Sequence, residues 1–257
     1  MKKKTSLKDS LIFCLGIILI AVIVQLAGKL KGDSIVFPDI TQIAGAFFNL
    51  LSSGHTYTLI LTTLARLLIS LLISAAAGIT IGLAGGLCPF IHRLLSPLMT
   101  LLRSIPIIVL AVIIMVLCDY AYVPCIAAVM VLVPVISEAA FEGCRRIDRE
   151  LIDVYRLNSS FTPRILFSVY LPLMAGYLKQ AYVNAAGTGI KIIVTAEYLV
   201  QAKNSLGKEI YSSAYFSEYA DIYAYALIMI LLVLMITELP LFLIRKFSKD
   251  GSAADAQ

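Results

Sequence analysis

The side chains best placed for chemistry in this chain are polar residues inside an otherwise apolar segment, residues 171–200. Asn184, Thr188, Lys191 and Thr195 recur at steps of four, three and four residues, so they share one face of a helix. A charged Lys near the middle of a membrane costs about 2.5–3.5 kcal/mol, so it should face protein or water rather than lipid. These four residues, the polar stripe, are therefore predicted to line a path for a small anionic or polar solute.

A structural role explains the same pattern, so both readings stay open. Lys191 could pair with a carboxylate, Glu138 or Glu197, and hold two helices together. Glu197 lies six residues after Lys191 and off the stripe, so a direct pair within one helix is not expected. Glu197 is nevertheless counted among the residues predicted to line the path.

The usual signs of covalent or metal chemistry are absent from the sequence. His55 and His92 are isolated, and the five cysteines include no closely spaced pair. We interpret the cysteines as small apolar residues in or near helices, with a disulfide between Cys118 and Cys125 as a minor alternative. No phosphate-binding loop and no nucleophile motif occurs. The sequence predicts no catalytic residue, no metal site and no cofactor bound by this chain.

Composition predicts an all-α polytopic membrane protein. The chain has 257 residues, 60% of them hydrophobic and only 14% charged, with a mean hydropathy of +0.92. Soluble domains carry about 25% charged residues. The net charge of +5 comes from Lys and Arg in the predicted loops, so it indicates membrane topology rather than nucleic-acid binding.

Six transmembrane helices are predicted, with both termini cytoplasmic, because this places the basic groups at 2–8, 93, 145–164 and 245–249 on the inside. The domain organisation is a cytoplasmic N-terminus at 1–10, one transmembrane domain at 11–247 with a cytoplasmic loop at 143–165 between helices 4 and 5, and a cytoplasmic polar tail at 248–257. The predicted spans are 11–28, 59–87, 98–118, 123–141, 171–200 and 222–244.

Glycines in the second predicted span indicate close helix packing. Gly78, Gly82 and Gly86 lie at successive four-residue steps and form one smooth face. The preceding segment 29–58, with an amphipathic stretch at 40–51, is predicted to lie at the outer membrane interface.

The longest polar segment, residues 143–172, is predicted to present a short amphipathic helix to a soluble partner. Asp148 is a plausible N-cap of this helix, which ends near Asn158. Its apolar face has no core of its own to enter, and it consists of Ile147, Leu151, Val154 and Tyr155.

This segment resembles the coupling loop of ABC importer permeases. The family signature of Glu-Ala-Ala, Gly and Leu-Pro aligns without gaps to Asp153-Val154-Tyr155, Ser159 and Leu171-Pro172. The spacing and the Leu-Pro are kept, whereas the Glu-Ala-Ala and the Gly are replaced. A literal Glu-Ala-Ala at residues 138–140 has no Leu-Pro at the right distance, and we interpret it as the end of a transmembrane helix.

Most of the chain from Thr62 to Phe247 is similar to permeases of the nitrate, sulfonate and taurine type. The similarity rests on Leu102-Arg103-Ser104-Ile105-Pro106, Ala196-Glu197 and Ser205-Leu206-Gly207, and on Thr63-Leu64-Ala65-Arg66. It adds Arg103 to the path-lining candidates. Leu117-Cys118-Asp119 departs from the family, which usually has Trp-Phe-Gly there.

The resemblance implies a permease subunit of an importer in the bacterial inner membrane. Its partners would be an ATPase that binds ATP and Mg²⁺, a second permease copy (a homodimer), an extracytoplasmic solute-binding protein and membrane lipid, with no nucleic acid. The residues implied in ATPase coupling are Asp148, Leu151, Asp153, Val154, Tyr155, Asn158, Ser159, Leu171 and Pro172.

Two other functions stay open. A secondary transporter driven by an ion gradient could use Lys191 and Glu197 as coupling groups, although no inverted repeat of spans is evident. A membrane scaffold or sensor fits the composition but leaves the polar stripe unexplained.

Overall fold

The computed structural model describes residues 38–148, 150 and 165–254, with side chains up to residue 237 except that of Phe167. These residues form α-helices joined by short turns, and no β-strand occurs among them. A π-helical segment, Leu166–Tyr170, leads into α6. The helices are α1 (Ile40–Ser52), α2 (Gly54–Leu87), α3 (Pro89–Ser104), α4 (Ile107–Leu117), α5 (Val123–Arg145), α6 (Leu171–Val200), α7 (Leu206–Tyr215) and α8 (Tyr219–Ala254).

The structure confirms the predicted all-helical membrane architecture but not the predicted number of six spans. Three stretches of the described chain are long and apolar enough to cross a membrane: α2, α5 and residues Tyr219–Thr237 of α8. The bent pair α3 and α4 makes a fourth if it counts as one span. α6 has the predicted bounds, but its polar residues keep it out of this set. The first predicted span, 11–28, lies outside the described residues, so six spans and the side of each terminus stay predictions.

The third predicted span is not one straight helix. α3 and α4 meet at 102° across Ile105 and Pro106, where a continuous span at 98–118 was predicted. Proline has no backbone N–H and disfavours α-helical geometry in the residue before it. Ile105 accordingly has an extended backbone, with a ψ of 124°.

Of the described residues, 58–208 and those from 231 onward form one compact unit, and those up to 57 with 209–230 form a second. The described candidate residues all belong to the first unit. Its centre is the long contact between α5 and α6. Small side chains such as Ala127, Ala140, Ala185 and Ala186 are buried on these two helices, which lets their backbones approach closely.

The glycine face of α2 lies directly against α5. A Cβ atom built on Gly78 would come within 2.9 Å of the Ile136 Cβ, and one on Gly86 within 2.6 Å of the Cys144 Cβ. On Gly82 it would meet the carbonyl oxygen of Ser137 and lie 2.5 Å from the Ala140 Cβ. Because real Cβ atoms do not approach other heavy atoms this closely, any larger residue must push the helices apart.

We predict that Gly82→Leu lowers the stability of the protein by about 1–3 kcal/mol, the usual range for overpacking. Gly45→Leu is the matched control, because a Cβ at Gly45 meets nothing within 4 Å. The measurement is thermal unfolding of both purified variants in detergent. Equal melting temperatures for Gly82→Leu and the wild type would contradict the close contact.

Candidate functional site

The polar stripe lies on the side of α6 that faces away from the packed core. Asn184, Thr188 and Lys191 are exposed and Thr195 is half-buried. The opposite side of the helix is buried, and it carries Ala185, Ala186, Gly189, Ile190, Ile193 and Val194. The structure therefore brings the four residues together on one open face.

An open groove between α5 and α6 continues from the Asn184 end of the stripe. Its volume is about 540 Å³, and Asn184, Gln180 and Tyr177 are the lining residues with polar side-chain groups. The Gln180 side-chain amide donates a hydrogen bond of 3.3 Å to the Asn184 Oδ1. The predicted path-lining residues did not include Gln180, although its position four residues before Asn184 places it on the same face.

Lys191 forms no ion pair among the described residues. The two carboxylates considered as its partners are paired with arginines instead. Glu138 lies 3.5 Å from Arg103, and Glu197 lies 2.6 Å from Arg66. The exposed ammonium group of Lys191 therefore has no carboxylate to neutralise it within the described part of the chain.

Glu197 is separated from the polar stripe, since its side chain is 0% exposed. Arg66 Nη1 donates to Glu197 Oε1 at 2.6 Å, and Thr63 Oγ1 lies 3.1 Å from both carboxylate oxygens. The backbone N–H of Gly207 donates to Oε2 at 3.3 Å. A fully buried carboxylate needs such partners, because it has lost its hydrogen bonds to water.

The same group of residues holds the turn after α6. Thr63 Oγ1 accepts a hydrogen bond from the backbone N–H of Leu206, and Arg66 Nη2 donates to the carbonyl oxygen of Lys203. A Cβ on Gly207 would lie 2.5 Å from the Glu197 Cβ and the Tyr198 nitrogen, so only glycine fits there. We call Thr63, Arg66, Glu197, Leu206 and Gly207 the Glu197 cluster.

Arg103 lies apart from the stripe. It lines a cavity of about 50 Å³ between α2, α3 and α5, beside Glu138 and His92. Its Nη2 donates to the Pro134 carbonyl oxygen at 2.8 Å. This cavity and the groove beside Asn184 share no lining residue, so the structure does not bring Arg103 and the stripe into one cavity.

Both described ends of the predicted coupling loop contact one buried cluster. Tyr170, Met174, Leu83, Ala140 and Cys144 form it, and the partly buried Ile147, Ile165, Leu166 and Leu171 pack against it. Asp148 and Pro172 are exposed. The other coupling candidates lie outside the described residues: Leu151, Asp153, Val154, Tyr155, Asn158 and Ser159.

The cysteines of the described chain are free thiols, so the minor alternative of a Cys118–Cys125 disulfide is absent. No group of three or more His, Cys, Asp or Glu side chains that could hold a metal ion occurs in that part of the chain.

Comparison with known proteins assigns the family. Residues 78–250 match the family described as binding-protein-dependent transport system inner membrane component. The match covers more than half of the chain. The chain belongs to this family. This is a family of ABC importer permeases, which are transporter subunits and are not themselves catalytic.

Two relatives give the extent of this permease's similarity. The glycine betaine transport system permease protein OpuAB of Bacillus subtilis (strain 168) is 25% identical over 154 residues, or 60% of this chain and 54% of that protein. The permease therefore spans about half the length of this curated relative. A chain of the MetNI methionine ABC transporter, solved in inward-facing conformations, matches with a TM-score of 0.59 and 18% identity, over 74% of this chain and 96% of that one. This likeness shows the fold alone.

The two arginine–glutamate pairs of the permease should differ strongly in their effect on stability. Arg66→Met leaves a buried carboxylate without its counter-charge, which costs about 3–5 kcal/mol. Arg103→Met breaks a pair whose side chains are 42% and 45% exposed, and such pairs contribute about 0–1 kcal/mol. Thermal unfolding of both variants in the same detergent measures the difference. A larger loss in Arg103→Met would show that Glu197 is not held as described.

Proposed function

We propose that this chain is the transmembrane permease subunit of an ATP-binding-cassette importer, in which the polar stripe of α6 lines the path of a small solute. One observation carries the proposal: the open face of α6 presents Asn184, Thr188 and Lys191 in a chain of this family, and Lys191 has no carboxylate partner among the described residues. A charge so placed in a membrane requires water or another protein beside it.

A second permease copy supplies the other wall of the path in this proposal. The buried side of α6 already contacts α5, so a partner can only approach the stripe from its open side. Two copies related by a twofold axis would bring two polar stripes face to face, as closed symmetric dimers do with any surface that contacts itself. The homodimer thus encloses the polar residues and keeps them from lipid.

The solute in this proposal is a small anionic or polar molecule. The ammonium group of Lys191 would attract a carboxylate, sulfonate or nitrate, and the uncharged Asn184 and Thr188 would offer hydrogen bonds. Glycine betaine and methionine, which appear in the names of two relatives, both carry a carboxylate. Sulfonates, nitrate, taurine and thiamine precursors stay candidates on the sequence resemblance.

A separate ATPase, which binds ATP and Mg²⁺, drives transport through the predicted helix Asp148–Asn158, and an extracytoplasmic binding protein delivers the solute at the bacterial inner membrane. The apolar face of this helix would insert into a groove of the ATPase. Ile147 and Leu171, near the two ends of the loop, pack on the buried cluster that contains Ala140 and Met174. A movement of the loop would therefore pass directly to α5 and α6 as a rigid-body shift.

An ion-gradient mechanism is less well supported. Its coupling groups, Lys191 and Glu197, would have to exchange charge with each other or with a common ion. Glu197 instead lies in an ion pair with Arg66 and is 0% exposed, whereas Lys191 is exposed on another side of α6.

For the path, we predict that Lys191→Met preserves assembly and basal ATPase activity but cuts solute uptake by about tenfold or more, the effect of losing about 1.4 kcal/mol or more of charge-assisted binding. Lys179→Met is the control, because Lys179 is an exposed residue of α6 off the stripe. Uptake into proteoliposomes that contain the permease, its ATPase and its binding protein is the measurement. Full uptake by Lys191→Met would refute a role in the path, and loss of the complex would favour a structural pair.

For coupling, we predict that Leu151→Asp leaves the permease folded but abolishes the stimulation of ATPase activity by the loaded binding protein. A charge on the apolar face of the loop helix cannot enter an apolar groove without a large desolvation cost. Glu150→Gln, a change at an exposed position beside it, is the control. Normal stimulation in Leu151→Asp at equal permease content would rule the coupling role out.

A further inference from the structure

The buried carboxylate of Glu197 lies on the back of α6 relative to the polar stripe. Successive residues of an α-helix are about 100° apart, so Glu197 lies roughly 150° round the axis from the centre of the stripe. The fully buried Ile190 and Ile193 lie on this same side. A contact that fixes the position of Glu197 therefore fixes the side of α6 that is opposite to the polar stripe.

The interactions of Glu197 are directional, unlike the apolar contacts around them. Elsewhere on its buried side, α6 packs through close apolar contacts such as Gly189 against Leu67 and Leu132, and apolar burial has no preferred direction. Glu197 instead has an ion pair of 2.6 Å to Arg66 and a hydroxyl within 3.1 Å of each oxygen. Charge-assisted hydrogen bonds of this kind lose strength when the angle between donor and acceptor changes.

The two side-chain donors to Glu197 come from a helix that is itself in close contact with its neighbour. Thr63 and Arg66 are on α2, whose glycine face from Gly78 to Gly86 is in close contact with α5. α2 therefore offers a rigid support, and the position of its two donors decides where the Glu197 carboxylate can lie.

From this geometry we propose that Thr63, Arg66 and Glu197 are positioning residues, which set the rotation of α6 about its own axis and so the direction in which the polar stripe faces. None of the three touches the solute in this account. The inference rests on the proposed function, in which the stripe lines the path. It adds the residues that fix the direction in which the stripe faces.

The variants that test this inference differ by single groups. Thr63→Val keeps the shape of the side chain but removes the hydroxyl that bonds to Glu197 and to the Leu206 N–H. Thr63→Ser restores a hydroxyl. Thr62→Val is the matched control, because the Thr62 hydroxyl donates only within its own helix, to the Thr58 carbonyl oxygen at 2.8 Å. Arg66→Lys, which keeps the charge but not the fork of donors, serves if Thr63→Val does not assemble.

Two measurements on the assembled transporter in lipid nanodiscs report separately on the hydrogen bonds of the Glu197 cluster and on the orientation of the polar stripe. Amide hydrogen exchange at Leu206 and Gly207 reports whether the cluster is closed. Labelling by an aqueous thiol reagent, in a background whose five native cysteines are replaced by alanine, compares Thr188→Cys on the stripe with Ile190→Cys on the buried side. The ratio of the two labelling rates reports which way α6 faces.

We expect Thr63→Val to speed exchange at Leu206 and Gly207 by about tenfold, which corresponds to about 1.4 kcal/mol. The labelling ratio of position 188 to position 190 should fall by a similar factor. Thr62→Val should leave both quantities at the wild-type value, and Thr63→Ser should recover most of each. Arg66→Lys should shift both quantities in the same direction as Thr63→Val.

Two results would overturn the inference. Unchanged exchange in Thr63→Val and Arg66→Lys would mean that the cluster does not hold the turn. Faster exchange with an unchanged labelling ratio would mean that the cluster holds the turn but not the rotation of α6. If Thr188→Cys resists labelling even with Thr63 intact, the stripe is not a water-filled path. In that case the proposed function fails, while the exchange measurement still shows whether the Glu197 cluster holds the turn after α6.

Discussion

A carboxylate inside a membrane protein must find its partners within the protein, and this constraint organises the described part of the permease. Glu197 receives an arginine and a threonine from α2 and a backbone N–H from the start of α7. The end of α6 and the turn after it therefore meet α2, which is more than 130 residues away in sequence, at one group. Replacing such a buried pair by well-packed apolar residues is often neutral for stability, so stability alone does not explain why the chain carries it.

The two contacts of α2 complement each other. Near the start of α2, polar side chains bind Glu197 of α6. In the second half of α2, glycines allow the backbone of α5 to pack closely against it. In lipid no hydrophobic force drives helices together, so packing of small residues and internal hydrogen bonds supply the attraction. α2 uses each of these two forces for a different neighbour.

Sequence alone predicted what depends on local pattern and missed what depends on distant pairs. The bounds of α6 agree with the predicted 171–200 because Pro172 at its start and the polar turn after Val200 are local signals. The glycine face and the polar stripe follow from helical spacing. The partner of Glu197 could not be chosen from the sequence, because Arg66 lies 131 residues away and no local pattern links the two residues. The break at Pro106 was visible in the sequence, but the apolar run around it suggested one continuous span.

The bend between α3 and α4 has a consequence for hydration. At about 1.5 Å per residue, the 11 residues of α4 cover roughly 16 Å, about half of a hydrocarbon core of about 30 Å. If the pair forms one span, the extended backbone at Ile105 and Pro106 then lies well below the membrane surface. Lipid cannot satisfy the peptide groups exposed by such a break, so water or protein must lie next to it. The bend would then require water or neighbouring protein within the depth of the bilayer beside Arg103, on the side of α5 away from the groove at Asn184.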